Sequence, residues 1–196
     1  MLDNYWAFLV FVIIMTGTPG PGNLTMMAIG QTTGFKSAIP FLIGTVLGGV
    51  FIDTLVATGL IHIFLASPLL NRGFQIVGVV YIVYLAVKVL RMHMKTVDAP
   101  KTFTFYEGLL IHPLSPKTWA MNIAGFSQFA NPEAPMFMEV TLFVGSFTMG
   151  AIVFHSLWCV AGATMHKWLR SPRVSFCANC LMACLMVGAT VYAMVT

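Results

Sequence analysis

Long apolar runs dominate the chain, and short polar or turn-rich stretches cut them into six segments. The first runs over about 5–33, the second over about 37–65 and the third over about 73–92. A polar linker at 93–102 carries Lys95, Asp98, Pro100 and Lys101. The fourth covers about 103–129, the fifth about 136–168 and the sixth about 174–195. A helix needs roughly 20 apolar residues to cross a bilayer. Lipid offers no water to satisfy backbone groups, so each run predicts a membrane-spanning helix.

Two of these runs are broken. The first is interrupted by Thr18-Pro19-Gly20-Pro21-Gly22-Asn23 and the fourth by His112-Pro113-Leu114-Ser115-Pro116-Lys117. Proline lacks a backbone donor and clashes with the preceding turn, so each pair ends one half-helix and starts another. Each break opens one half of the chain. Three spans per half is an odd number, so the second half enters the membrane from the opposite face. That is the signature of an inverted-topology repeat, with a substrate site where the broken helices meet near the midplane. The predicted fold is an all-α integral membrane protein, one transmembrane domain over 1–196. Its six helices form a 3+3 inverted repeat (1–99 and 100–196), with helices 1 and 4 broken by the Pro-rich motifs.

Composition narrows the class. The 196 residues are 58% hydrophobic and only 8% charged, whereas soluble domains carry about a quarter charged residues. A net charge of +4 then speaks to orientation and not to nucleic acid. Lys36, Arg91, Lys95, Lys101, Lys167, Arg170 and Arg173 fall on one side and Arg72 on the other. The positive-inside rule places the larger set in the cytoplasm and both termini outside. The first run follows Asp3 and precedes Pro and Gly, so it reads as a span and not as a signal peptide. Cys177, Cys180 and Cys184 fall at helical spacing in one apolar run, with Cys159 alone in another. They read as small residues on a buried helix face. No nucleotide loop or zinc-ligand spacing is present, so the chain is expected to be no enzyme and to hold no cofactor or metal.

The breaks carry the candidate chemistry. Ser115 is placed to cap the fourth segment's second half with Pro116 at its first position, and Asn23 to cap that of the first segment. Each restarted half-helix aims free N–H groups and a positive dipole end into the interior, which favours a carboxylate. The preceding half-helices end near Gly17 and Ile111, leaving carbonyls for an ammonium group. Donors on one side and acceptors on the other suit a zwitterion. Ionisable residues inside spans are costly and point to function. Asp53 lies midway along the second run, in Gly44-x3-Gly48-Gly49-x3-Asp53; the glycines permit close helix approach and a desolvated carboxyl, the setting of a proton carrier. Lys117 is placed to pair with Asp53 or with a substrate carboxylate. His112 at the break and His155 in the fifth run are further candidates, each also readable as a core histidine. Asn122 and Gln128 are candidate polar contacts, and Glu107 reads as a solvated residue near the cytoplasmic end.

Several of these motifs are familiar together. Thr18-Pro19-Gly20-Pro21-Gly22-Asn23, glycines 44, 48 and 59, Tyr81-Ile82-Val83-Tyr84-Leu85-Ala86-x-Lys88 and Ser115-Pro116-Lys117-x-Trp119 resemble the LysE/RhtB family of amino-acid exporters over essentially the whole chain. The third and sixth segments are similar to the branch that exports cysteine and O-acetylserine. The resemblance implies a six-helix inner-membrane protein that exports amino acids or related metabolites, driven by the proton gradient. Pro19, Pro21, Asn23, Pro116 and Lys117 match the family's motifs by position. Gly22 stands where many members have Asn directly after the second proline. Ser115 stands where many have Asn. Asp53 lies about one turn beyond the family's acidic position, so its role rests on its burial alone.

The expectation is a secondary exporter of a small amino acid from a bacterial-type cytoplasmic membrane, with protons as the coupling ion. Its site is expected from Thr18, Pro19, Gly20, Pro21, Asn23, His112, Ser115, Pro116, Lys117 and Asn122, with Asp53 and His155 as proton-coupling candidates. Its partners are the amino acid, protons and lipid; a homo-oligomer stays open, because small-x3-small patterns pack helices within a chain or between two. A passive facilitator is the alternative reading. A thiol-redox protein is a weaker one, since it needs a cysteine beside each break.

Overall fold

The computed structural model describes residues 4–60, 67–92, 103–168 and 172–195. Among them all regular structure is helical: α1 (Tyr5–Gly17), α2 (Pro21–Thr33), α3 (Phe35–Ala57), α4 (Pro68–Met92), α5 (Phe105–Ile111), α6 (Pro116–Phe129), α7 (Met136–Trp168) and α8 (Pro172–Val195). Four helical stretches, Phe35–Ala57, Arg72–Arg91, Met136–Met165 and Val174–Met194, are each long and apolar enough to cross a membrane. The pair α1 and α2, bent by 53°, qualifies together as a fifth. The linker 93–102 with Lys95 and Lys101, the end of the second apolar run at 61–65, and Arg170 lie outside the described residues.

Local chemistry sets the helix ends. Gly34 adopts φ +82, a conformation that side chains disfavour, and so lets α3 start one residue after α2 stops. Pro21 and Pro116 each occupy the first turn of their helix, where a missing N–H costs nothing. Thr104 and Glu107 form a reciprocal capping box at the start of α5.

Apolar side chains such as Ile13, Ile76, Val80 and Leu157 are exposed around the outside. Lipid tails are as apolar as these side chains, so helices must be held by close packing and internal hydrogen bonds. Glycines provide the close packing at two crossings. A Cβ added at Gly30 of α2 would lie 2.0 Å from the Cys159 carbonyl oxygen, and one at Gly162 of α7 would lie 2.0 Å from that of Met27. The second crossing joins α3 to α5 in the same reciprocal way. A Cβ at Gly44 would meet the Phe105 carbonyl oxygen at 2.0 Å and one at Gly108 that of Phe41 at 2.1 Å. Phenylalanines fill the space at the other end, where Phe8 of α1 packs with Phe143 and Phe147 of α7.

Glu107 departs from expectation. It is buried, not solvated, because α4 surrounds it with donors. Lys88 Nζ donates to both carboxylate oxygens at 2.6 and 2.7 Å, and Tyr84 donates to Oε1 at 2.7 Å. Tyr81 donates to the Glu107 carbonyl, and Lys88 also lies 4.5 Å from the centre of the Phe103 ring. Tyr81, Tyr84 and Lys88 fall three and four residues apart, on one helix face.

Two predictions follow from this packing. Gly30→Ala or Gly162→Ala should destabilise the protein by about 1–3 kcal/mol through overpacking, read as a lower melting temperature in detergent. Gly73→Ala, where an added Cβ meets nothing, should not. Lys88→Met should cost about 3–5 kcal/mol by leaving a buried carboxylate uncompensated, and the double variant Lys88→Met/Glu107→Gln should recover most of that loss in the same melting assay.

Candidate functional site

The chain folds its two interruptions against each other. α1 stops at Gly17, and Thr18 and Gly20 run extended before α2 starts at Pro21. α5 stops at Ile111, and Ser115 is extended at the N-cap of α6. Ser115 is the cap residue expected, although its hydroxyl makes no capping bond. The first break corrects the expectation for Asn23. Gly20 is the N-cap of α2, and Asn23 sits inside the helix, reaching backwards. Its Nδ2 donates to the carbonyls of Thr16 at 2.7 Å and Thr18 at 2.9 Å, so it caps the end of α1 instead.

At the first break the freed carbonyls are therefore not left open for an ammonium group, as the sequence suggested. Trp158 Nε1 donates to Gly17 O at 3.1 Å, and Thr18 Oγ1 donates to Met15 O at 3.1 Å. Across the second break, Trp119 Nε1 donates to Pro113 O at 2.7 Å. In a medium without water, an unmade bond is expensive, and side chains have taken these acceptors. Donors behave differently. Helix geometry leaves the first amides of α2 and α6 without intrahelical partners, and Gly22, Asn23 and Lys117, which carry them, all line one cavity between the breaks.

That cavity gathers most of the expected residues. Gly20, Pro21, Asn23, Asp53, His112, Ser115, Lys117 and His155 line it. Thr18 stands just behind, accepting from Lys117 Nζ at 2.8 Å through its hydroxyl and 3.3 Å through its carbonyl. Asn122 is fully buried beyond Asp53 and donates to its Oδ1 at 2.6 Å. Pro19 is exposed, Gln128 is exposed, and Pro116 faces a separate cleft with Phe74 and Trp119. Lys117 does not pair with Asp53. Among the described residues, no carboxylate is in ion-pair contact with Lys117 and no cation with Asp53. Both charges border the same space without compensating each other.

His112 and His155 meet across the cavity. Their Nε2 atoms are 3.3 Å apart with the rings 29° from coplanar. His155 Nδ1 lies 2.6 Å from Asn23 Oδ1, and His112 Nδ1 lies 3.0 Å from Thr118 Oγ1. Sequence reading missed Thr118, whose place six residues past His112 matters only because the break folds back. It also missed why Gly22 interrupts the motif. A Cβ there would lie 2.9 Å from His155 Cε1, so the glycine makes room for the ring. The apolar wall, from Met15, Ile111, Met121, Phe147 and Ala151, carried no sequence signal beyond hydrophobicity.

Comparison with known proteins places the chain in a family. The chain is 24% identical over 195 residues to the leucine efflux proteins of Salmonella choleraesuis and Salmonella typhimurium, covering 94% of this chain and 92% of each relative. It is 27% identical over 146 residues to an uncharacterized membrane protein of Pseudomonas aeruginosa, covering 67% of this chain and 66% of that one. No solved structure gives a significant match. The family model of the LysE type translocator matches residues 13–196, and the chain therefore belongs to that family: it is a membrane translocator and not an enzyme.

Proposed function

We propose that the protein is a secondary exporter of a neutral amino acid with an apolar side chain, exchanging it for protons across a bacterial-type inner membrane. One observation carries this reading: Asp53 and Lys117 border a single cavity, and neither neutralises the other. Unpaired charges inside a membrane protein are costly unless a ligand compensates them. A zwitterion compensates both. Its carboxylate meets Lys117 and the amides at the starts of α2 and α6, and its ammonium meets Asp53. The side chain then rests on Met15, Met121 and Phe147, an apolar surface that suits an aliphatic group of the kind carried by leucine, the substrate in the names of the Salmonella relatives.

Exchange follows from the single carboxylate. Asp53 holds either a proton or the substrate ammonium, never both, so proton entry displaces the substrate. Asn122 keeps the carboxyl aimed at the cavity by its bond to Oδ1. We read α1 with α2, and α5 with α6, as two broken spans, giving six spans in a 3+3 inverted repeat with both termini outside. Alternating access is then the rocking of one three-helix repeat against the other about the cavity. Among the described residues none of α4 or α8 lines the cavity, and these helices serve as the outer supports of each repeat.

The deciding experiment is uptake of labelled leucine, cysteine, O-acetylserine, homoserine and lysine into inverted vesicles, with and without an imposed pH gradient. Gradient-dependent accumulation of leucine above the others is expected. Equilibration indifferent to the gradient would make the protein a facilitator, and preference for cysteine or O-acetylserine would move it to that branch. Asp53→Asn should abolish the gradient-driven part, since an amide neither takes up nor releases a proton near neutral pH; undiminished accumulation would remove Asp53 from the coupling. Lys117→Gln should raise the substrate KM by about thirtyfold or more, the scale of losing one buried charge contact of about 2 kcal/mol or above. An unchanged KM would place the carboxylate elsewhere.

A further inference from the structure

The geometry points to His112 and His155 as a single site for one excess proton, shared between their Nε2 atoms and exchanged with the cavity that Asp53 borders. The hydrogen-bond directions carry the argument. Asn23 Nδ2 donates to two backbone carbonyls, which only accept, so its Oδ1 faces His155. An amide oxygen accepts and cannot donate. His155 Nδ1 therefore carries a hydrogen. With both rings neutral, His155 Nε2 is a lone pair, and the bond between the rings requires a hydrogen on His112 Nε2. His112 Nδ1 is then a lone pair, and the Thr118 hydroxyl donates to it. Every position is satisfied, and the two rings are opposite tautomers.

One added proton fits without loss. It enters at His112 Nδ1, and the Thr118 hydroxyl turns from donor to acceptor, since a hydroxyl can play either role. Both Nδ1–H groups are now held by oxygens, Asn23 Oδ1 at one end and Thr118 Oγ1 at the other. The remaining hydrogen lies between the two Nε2 atoms and belongs to either ring. No heavy-atom bond forms or breaks. A second added proton has no place, because it sets two N–H groups face to face across 3.3 Å. The site is therefore limited to one.

The surroundings are cut to hold the rings. Gly22 of α2 lies against His155, with an added Cβ 2.9 Å from Cε1, and Gly49 of α3 lies against His112, with an added Cβ 3.4 Å from Cδ2. The charged groups facing the pair within the cavity are Lys117 from α6, which opposes the added proton, and Asp53 from α3, which favours it. Among the described residues, α1, α2 and α7 present no other titratable group to it. Binding an ammonium group at Asp53 removes the favourable charge and expels the proton, whereas an empty cavity retains it. This role in coupling rests on the exporter reading above; the proton site itself rests on the hydrogen bonds alone.

The test is a titration of the full chain, labelled with 15N-histidine and reconstituted in lipid bilayers, followed by imidazole nitrogen resonances over about pH 5 to 8, where histidine charge changes. The expected result at the upper end is opposite tautomers, Nδ1–H for His155 and Nε2–H for His112. On acidification both rings should change at one shared midpoint, with uptake of one proton in total. Independent midpoints, two protons bound, or matching tautomers would overturn the proposal, and this measurement on the natural chain needs no variant to fold. Thr118→Val, which removes the oxygen that accepts in the charged form, should move the shared midpoint to lower pH; an unmoved midpoint would equally overturn it. In vesicles, His112→Gln should lose gradient-driven accumulation, and accumulation equal to that of the unaltered chain would exclude the pair from coupling. A chain that moves no amino acid would defeat the exporter reading, while the titration would still decide the proton site.

Discussion

The membrane interior supplies no water, so every polar group that a helix end releases there must find its partner within the protein. Two Pro-rich interruptions release such groups in the middle of an otherwise apolar chain. Everything else at the centre of this molecule answers that demand. Asn23 turns back to cap α1, Trp158 reaches over from α7 to Gly17, and Trp119 closes on Pro113 within the second break. Lys117 crosses from the second break to Thr18 in the first. These bonds hold the breaks at a fixed separation, and the cavity is the space left between them.

The same demand sorts the atoms into those used for structure and those left for a ligand. Carbonyl oxygens at the end of α1 are taken by side-chain donors, and past α5 the backbone amides of Leu114 and Ser115 and the Trp119 indole take those of Leu110, His112 and Pro113. The amides that open α2 and α6 remain beside the cavity, together with one cation and one carboxyl. The cavity is thus rich in donors, with Asp53 as the carboxyl on its lining.

Packing supports the site from outside. Without a hydrophobic force between helices in lipid, backbone contact at the glycine crossings fixes how α2 lies on α7 and how α3 lies on α5. His155 projects from α7 toward α2, and Asp53 projects from α3 toward the second break, so their positions inherit the precision of those crossings. The buried Lys88–Glu107 pair serves a similar end at the start of α5, tying it to α4 with charge and two tyrosine hydroxyls.

Much of this was legible in the chain itself. Runs of apolar residues at bilayer length fixed the helical class, because lipid admits little else, and paired prolines marked where α1 and α5 stop, because proline removes a donor wherever it stands. Asp53, Lys117, His112 and His155 stood out since charge and imidazole inside apolar runs are expensive. These are one-dimensional facts, set by spacing and solvation. Partnerships are not. Whether Asn23 caps forward or backward, whether Lys117 meets Asp53 or Thr18, and whether Glu107 is wetted or paired depend on which helices lie side by side. Gly22 illustrates the difference best: along the chain it is an extra residue in a motif, and only the arrival of His155 from 133 positions away shows that a side chain there has no room.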